Sequence, residues 1–533
     1  MNTPGLLACL LWTALRIAAQ PPDPAALLSK ALALARQGQV EPARELLERG
    51  RHAYPADKRF LEELAGLAYR RKDLFSTASY LRAALRLDPA DPYAHSFLAA
   101  VNLMQGNLEA ALVHWNRLDQ PVLAEVTLVP APPLKPLLQE RSVAVSAGQI
   151  LTFDRLRITQ ANLDRLAVFP SYRFELTPSG PDRFSLNLRL TDGDIWRGWP
   201  ARLLLLARAL PYRTLMLDRT DIGQRAINLS TLWRWDPNRY RAMFALTGPW
   251  RQDPRYIYRF LLDARDERWD LTRSYRGPGG PLSDVHLRRI EAGADLVIGL
   301  NGRLQWTPGV RLVRALYDRG HDSSLFSSYW SITARNQLEY ELWNAPERRI
   351  RIDSAGVLET GSILRRETTR FASITGDLLA SWLPFARDRD TTFRTRIRSG
   401  RAFGALPLDS LFQLGMDRDN DLWLRGHLAA HDSRKGNAPL GSEYALWQMD
   451  VERAWLRLPL VKVAAGPFFD SGWVGDHSGR LGSQGWLHDT GVQMNVTAAG
   501  KVRWTLVYGR DLRDGRGVFY TGVERVTPRS PRR

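Results

Sequence analysis

Cysteine is almost missing from this chain: Cys9 is the only one in 533 residues. It lies inside an N-terminal apolar run, Gly5 to Leu15, followed by Arg16 to Gln20 and then Pro21-Pro22. An apolar core of about ten residues, closing on small residues before a proline-rich start, reads as a secretory signal peptide over 1–20. Its removal leaves no cysteine, so no disulfide holds the mature protein, as suits an exported chain that needs none. Lysine is scarce as well, at seven of 74 basic residues against 56 acidic ones, so the formal charge of +18 is arginine's. No basic block or nucleic-acid-binding signature accompanies it, and the excess reads as charged faces; no nucleic-acid partner is expected. Long apolar runs are lacking too. Leu203-Leu204-Leu205-Leu206 is flanked by Arg202 and Arg208, and no later stretch approaches the ~18 residues of a membrane-spanning helix.

Catalytic patterns are also missing. Nine histidines are scattered without ligand spacing. Gly482-Ser483-Gln484-Gly485 is not a nucleophile elbow, because its first glycine adjoins the serine. Gly277-Pro278-Gly279-Gly280 is a turn, with no Lys-Ser/Thr and helix after it to cradle phosphate. Asp417-Arg418-Asp419-Asn420-Asp421 has alternating carboxylates but lacks the glycine and distal acid of a calcium loop, and reads as an acidic loop. No enzyme, cofactor or metal site is expected.

What is present falls into blocks. Over 21–118 the pattern is helical and repeats every ~34 residues: Ala31 to Gly38 then Ala43, Leu46 and Leu47; Leu64 to Tyr69 then Ala78, Leu81 and Ala84; Leu98 to Ala100 then Ala110 and Trp115. Small residues recur where paired helices would touch, and Pro55 and Pro89 follow the second helices. The layout resembles the tetratricopeptide repeat over about three units, which implies a groove for a periplasmic partner. Pro121 to Pro136 marks a boundary. In 119–195, Val122–Val129 reads as a strand, Thr159–Val168 as a helix, and Tyr172–Leu176 with Phe184–Leu190 as a hairpin turning at Ser179 to Asp182. Helix then hairpin resembles a polypeptide-transport-associated (POTRA) module. A linker follows over 196–212.

From 213 to 526 alternating segments of about ten residues recur between Gly, Asp, Asn and Pro. Examples are Arg349–Asp353, Thr392–Arg398 and Lys501–Tyr508. About 16 such segments over ~320 residues exceed what an open soluble sheet sustains. A closed transmembrane antiparallel barrel satisfies every backbone group in lipid, its apolar face outward and its polar face on the lumen. Most of the 18 tryptophans lie here, many near segment ends, as an aromatic girdle requires. Arg394, Arg396 and Arg398 share one strand face and are expected to line the lumen. Residues 527–533 form a C-terminal tail.

Two motifs stand in order within the barrel region. Leu424-Arg425-Gly426-His427 opens a polar stretch, and Phe468-Phe469-Asp470-Ser471-Gly472 lies in Val461–Val474. Between them runs Tyr444–Leu456, with Gln448, Asp450 and Glu452 on one face. Phe468, Asp470 and Gly472 point the same way at i, i+2 and i+4. Asp470 and Glu452 would both face inward, and the planar fork of Arg425, reaching back from its loop, is suited to bond two carboxylates. Gly426 would allow the tight backbone of that insertion.

This order resembles the BamA-type outer-membrane assembly superfamily, which includes BamA, TamA and the two-partner secretion transporters. Its signature is a Val/Ile-Arg-Gly-Phe/Tyr loop tip folded into the lumen and a Phe-x-Asp-x-Gly strand that receives the arginine. Arg425, Gly426, Phe468, Asp470 and Gly472 match, and Glu452 matches the inward acid between. Leu424, and His427 in place of the aromatic, depart from it, as does the non-aromatic end Val526 to Arg533. The resemblance implies a bacterial outer-membrane barrel with N-terminal domains in the periplasm. It implies insertion or translocation of unfolded or exported client proteins, without a cofactor and in contact with outer-membrane lipid. A dedicated secretion pore for one partner and an anion-selective porin-like channel are the alternatives.

Overall fold

The computed structural model describes residues 23–525 apart from 181–182, 192–211, 278–281, 319–324, 366, 385–390, 405, 459–460, 478 and 499–501. The leader, most of the 196–212 linker, the turn at Gly279-Gly280 and the C-terminal tail therefore lie outside the described residues. The chain divides into two units, 1–121 and 122–533.

Among its described residues the first unit holds six α-helices: α1 (Pro24–Arg36), α2 (Val40–Ala53), α3 (Lys58–Arg70), α4 (Leu74–Leu87), α5 (Pro92–Met104) and α6 (Leu108–Trp115). Odd-numbered helices start at 24, 58 and 92 and even-numbered ones at 40, 74 and 108, a period of 34. An aspartate caps each odd helix: Asp23, Asp57 and Asp91 accept backbone N–H groups of the first turn. That satisfies donors that the helix itself leaves open. Small residues let the helices approach, with Ala43, Ala65, Ala78, Ala84, Ala94 and Ala99 all buried.

The second unit opens with a three-stranded sheet and two helices: β1 (Val122–Val129), α7 (Pro136–Ser142), α8 (Phe153–Leu166), β2 (Tyr172–Gly180) and β3 (Arg183–Leu190). β3 lies in the middle, parallel to β1 and antiparallel to β2. The helix read as Thr159–Val168 starts six residues earlier. Thr152 caps it by accepting from the Arg155 N–H, a signal that apolar spacing does not carry.

Fifteen long strands follow among the described residues, one fewer than the approximate count read from the sequence. They are β4 (Thr214–Ile222), β5 (Ile227–Asp236), β6 (Arg239–Pro249), β7 (Tyr256–Trp269), β8 (Val285–Gly299), β9 (Leu304–Asp318), β10 (Tyr329–Ala345), β11 (Ile350–Leu364), β12 (Thr369–Trp382) and β13 (Thr391–Gly404), then β18 (Glu443–Arg457), β19 (Val461–Gly475), β20 (Leu487–Ala498), β21 (Val502–Asp511) and β22 (Gly517–Arg525). Four two-residue strands, β14 (Phe412–Gln413), β15 (Ala430–His431), β16 (Arg434–Lys435) and β17 (Leu440–Gly441), belong to the loop between β13 and β18. Antiparallel ladders run from β4 to β13, from β13 to β18, and on to β22, and the sheet closes as a barrel. In the closed order the last strand, β22, neighbours the first, β4.

Turns at one end of the barrel are short, as at 223–226, 300–303 and 346–349. The sheet-and-helix module sits on that end. The Lys135 N–H donates to the Gln224 carbonyl, Asn228 to the Leu166 carbonyl and Arg165 to the Pro254 carbonyl, at 2.8–2.9 Å. Leu134, Leu138, Leu163 and Leu166 share an apolar cluster with Ala226, Ile257 and Val297 of the barrel. The longer connections gather at the other, distal end.

The barrel is polar inside and apolar outside. Arg234, Asp236, Asp263, Glu267, Asp295, Glu339 and Glu341 are buried. Phe244, Phe260, Leu262, Ile290, Val310, Ile332, Leu338, Ile374, Ile397 and Val492 are exposed on the outward face. Exposed aromatics form two belts. Trp250, Tyr256, Trp306, Trp343, Trp382 and Trp455 ring the module end; Trp233, Trp235, Tyr240, Trp330, Phe403 and Phe519 ring the distal end. On β10 the positions from Trp330 to Trp343 span roughly 40 Å along the strand at about 3.3 Å per residue, or roughly 30 Å along a barrel axis tilted by about 40°.

Candidate functional site: a loop tip fastened inside the barrel

The chain between β13 and β18 folds back into the barrel instead of extending from it. Two short pairings, β14 with β17 and β15 with β16, and a parallel bridge from Met416 to Leu428 give it internal structure. Asn420 ties its turn by donating to the carbonyls of Gln413 and Gly415. The loop carries its own apolar anchors. Leu414, Leu422 and Leu424 pack with Tyr444, Leu446, Val474 and Leu487 of the wall, and Met416 packs with Phe468 and Val507. Leu424 is thus a core residue of the docked loop.

Arg425 forms the tip. Its backbone N–H and Nε donate to Asp470 Oδ2 at 2.9 and 2.8 Å, and Nη2 donates to Asp470 Oδ1 at 2.5 Å. Nη1 donates to Asp450 and, at 2.9 Å, to Gln493 on β20. The guanidinium also lies over the Phe468 ring, 3.9 Å from its centroid. Asp470 is fully buried. A carboxylate there is tolerated because a bidentate fork and a backbone donor meet both its oxygens.

The second acid is Asp450, not Glu452, and register explains it. Across β18 and β19, Gln448 faces Asp470 and Asp450 faces Phe468. Asp450 is therefore the diagonal neighbour of Asp470, within reach of one guanidinium, and Glu452 lies one inward position further along. Glu452 instead pairs with Arg394 at 3.4 Å. The other two arginines read as lumen lining are paired as well. Arg396 is bonded to Asp377; Arg398 donates to Gln448 at 2.8 Å and lies 3.5 Å from Asp421. With their charges matched, they do not form the open anion-selecting surface that the channel alternative needs.

Gly426 has a steric role. It does not adopt a positive φ. Its N–H donates to the buried carboxylate of Asp489 on β20, and a Cβ would come within 2.5 Å of that carboxylate. His427 follows, with Nδ1 3.2 Å from Asp489 Oδ2 and Nε2 3.4 Å from Asp511 Oδ2 on β21. One ligand atom from each of these three residues falls within 4.8 Å of the others, a spacing that a metal ion can also bridge. Each ring nitrogen already faces its own carboxylate.

The wall is hollowed by glycines to receive the tip. Gly472, Gly491 and Gly509 sit on consecutive strands β19, β20 and β21. A Cβ on Gly472 would meet Leu414 and Leu424 at 2.9–3.2 Å, and one on Gly509 would lie 1.8 Å from the Arg425 carbonyl oxygen. Backbone cannot yield at that distance. Gly509→Ala is therefore expected to expel the tip while leaving the strand ladder intact. Trypsin cleavage after Arg425 in the folded barrel, expected in the variant and not in the parent protein, measures it.

A second anchor fastens the loop to the opposite wall. Asp417 accepts from Arg239 Nη1 at 3.0 and 2.8 Å. Asp419 accepts from Arg234 at 2.5 Å and from Arg241 at 2.6 Å. Burial opposes the charge on Asp419, but Arg234 and Arg241 outweigh it and hold its carboxyl well below the usual range. Arg418 donates to the Tyr212 carbonyl at 2.7 Å and Thr214 Oγ1 at 3.1 Å, at the head of β4. Lys435 pairs with Glu267 of β7 at 2.9 Å. The run Asp417 to Asp421 is thus an arginine socket's counterpart, and the loop spans the lumen from β5–β7 to β18–β21.

Sequence reading missed this anchor, because Asp417 and its partner Arg239 are 178 positions apart and nothing local couples them. Asp489, Gly491 and Gln493 did leave a signal. They repeat at i, i+2 and i+4, the same inward alternation as Phe468, Asp470 and Gly472.

No family model and no curated protein sequence matches the chain. Solved barrels do resemble it. A BamA from Haemophilus ducreyi lacking POTRA domains 1–3 aligns at 10% identity, covering 76% of this chain and 84% of that one, with a TM-score of 0.43. CdiB from Acinetobacter baumannii aligns at 14% identity over 75% and 72% of the two chains, with a TM-score of 0.45. CdiB from Escherichia coli aligns at 13% over 76% and 75%, with a TM-score of 0.46. At such identities and TM-scores below 0.5, the residues themselves carry the case for function.

Proposed function

We propose that this protein is an outer-membrane barrel that inserts client proteins into the membrane or passes them across it. The membrane location rests on the inverted surface: apolar side chains outward between two aromatic belts, ion pairs inward. A soluble barrel would not expose so continuous an apolar face. The module on the short-turn end has the order β1-β3-β2 with two helices between β1 and β2, and we read it as the POTRA-like element, facing the periplasm. The 34-residue helical period supports a tetratricopeptide array for a client or partner.

The observation that carries the protein-handling reading is the loop tip. A simple solute channel has no need of a 38-residue loop fastened to two walls by buried charge. In the mechanism proposed, no cofactor acts. The seam between the first and last strands, β4 and β22, opens, and client strands pair with the edge so exposed by β-augmentation. The internal loop braces the wall during that exchange.

Depletion of the protein tests this. The levels of other barrels and surface proteins should fall while uptake of small solutes stays normal. Unchanged levels with impaired solute uptake would refute protein handling. Loss of a single secreted protein, all others being normal, would favour a dedicated secretion pore.

A further inference from the structure

The loop tip carries two cations two positions apart, and they differ in kind. Arg425 is charged at every pH a cell meets. His427 is not, and it occupies the position where the resemblance expects an aromatic ring. Its surroundings are built for an imidazolium. Each ring nitrogen faces a different carboxylate, Asp489 on β20 and Asp511 on β21. Asp489 is fully buried; its Oδ2 takes the Gly426 N–H and faces the ring, while its Oδ1 has no hydrogen-bond donor. A neutral ring has one N–H and cannot donate to both acids. Only the protonated ring satisfies this arrangement.

We propose that the tip is held by a permanent fastening and a titratable one: Arg425 on Asp470 and Asp450 stays closed, and His427 between Asp489 and Asp511 lets go when it loses its proton. The neutral ring keeps one N–H and can hold only one acid, so either Asp489 or Asp511, both buried, is left without its donor on the ring. Buried charge of that kind is not tolerated, so the Gly426–Leu428 side of the tip must lift to admit water.

The other charges near the ring are few. Asp514, in the turn between β21 and β22, adds to the pull of Asp489 and Asp511. Arg513 and Arg516 of that turn, His431 of the loop, and Arg273 and Arg276 from the β7–β8 connection line the adjoining cavity of about 440 Å³. Arg513 is held on the Gln484 carbonyl, Arg276 on that of Gly482, and His431 lies against Asp432. Burial works against the charged ring, but the hydrogen bond to Asp489 and the charges of Asp489, Asp511 and Asp514 outweigh it, and His427 titrates above the ordinary histidine range. A group whose pKa is raised by folding contributes fully below its unfolded value, and the contribution is lost as pH rises through the folded one. The fastening is thus closed below the ordinary histidine value and is lost as pH rises through the raised one.

Two measurements on the full-length protein in detergent test this, and neither depends on what the barrel transports. The first is an NMR titration of labelled histidine, with the His427 signal assigned by its absence in His427→Gln. The second is the mobility of a nitroxide on His431→Cys in a Cys9→Ser background, followed with pH. We expect a His427 midpoint above the ordinary ~6.5, and label mobility rising at the same midpoint. Asp511→Asn should lower both by a similar amount, and His427→Phe should abolish the pH response. Heat-modifiable migration on gels establishes folding of each variant, and Asp511→Asn suffices where a His427 variant fails to fold. A midpoint at or below the ordinary value, a pH response that survives in His427→Phe, or mobility governed by chelator instead of pH would overturn the proposal, the last in favour of a metal ion.

Discussion

Replacing Arg425 with alanine is expected to free the loop from the β18–β21 wall and abolish activity while the barrel still assembles. The substitution removes four hydrogen bonds made by the side chain and the cation stacked on Phe468. More costly is what remains: Asp470, wholly buried, keeps a single backbone N–H, and Asp450 loses its cation. Stranding a buried charge in this way costs roughly 3–5 kcal/mol. That figure concerns docking of the loop, since the strand ladders of β18, β19 and β20 do not pass through Arg425. The barrel should therefore keep its heat-modifiable migration while the loop becomes protease-sensitive. Arg425→Lys should recover part of the effect, because a point charge reaches one carboxylate but cannot form the fork. Glu452→Gln, by contrast, should leave the tip in place, since its partner is Arg394.

Asp419→Ala is the second large effect, and it acts at the other end of the loop. Asp419 is the shared acceptor of Arg234 on β5 and Arg241 on β6, with Arg239 3.8 Å away. Its removal leaves Arg234 deep in the wall with Asp236 at 3.9 Å as its nearest acid. A cost of roughly 3–5 kcal/mol is again expected for docking. Hydrogen exchange should show it as lost protection over 413–423 with little change in β18–β20. Asp421→Asn, two residues on and mostly exposed, loses only a long pair with Arg398 and should cost no more than about 1 kcal/mol. The contrast separates a buried acceptor from the acidic run in which it sits.

How much of this was legible in the sequence depended on distance along the chain. Strand alternation is local, so Val461–Val474 and Tyr444–Leu456 fall within a residue or two of β19 and β18. The helical period is local as well. The inward direction of Asp470 followed from its spacing to Phe468 and Gly472. Pairing across strands did not follow, because it depends on register: a shift of two positions exchanges Glu452 for Asp450 as the acid beside Asp470. The glycines of the wall illustrate the same limit. Gly426 reads as a flexible turn residue, yet its φ is ordinary and its need is the space that Asp489 occupies. Gly509 gives no signal in sequence, since the atom it makes room for, the Arg425 carbonyl oxygen, comes from a loop 84 positions earlier. His427 reads only as a departure from a motif until Asp489 and Asp511 are seen on either side of it.

One internal loop links the membrane barrel to protein handling, and complementation tests that link most directly. Cells depleted of the protein would be supplied with the parent chain or with Arg425→Ala, each present in the outer membrane at equal amount and in heat-modifiable form. The levels of other outer-membrane and surface proteins would then be measured by proteomics. The parent is expected to restore them and Arg425→Ala is not. Full restoration by Arg425→Ala, with the loop shown by proteolysis to be undocked, would contradict it.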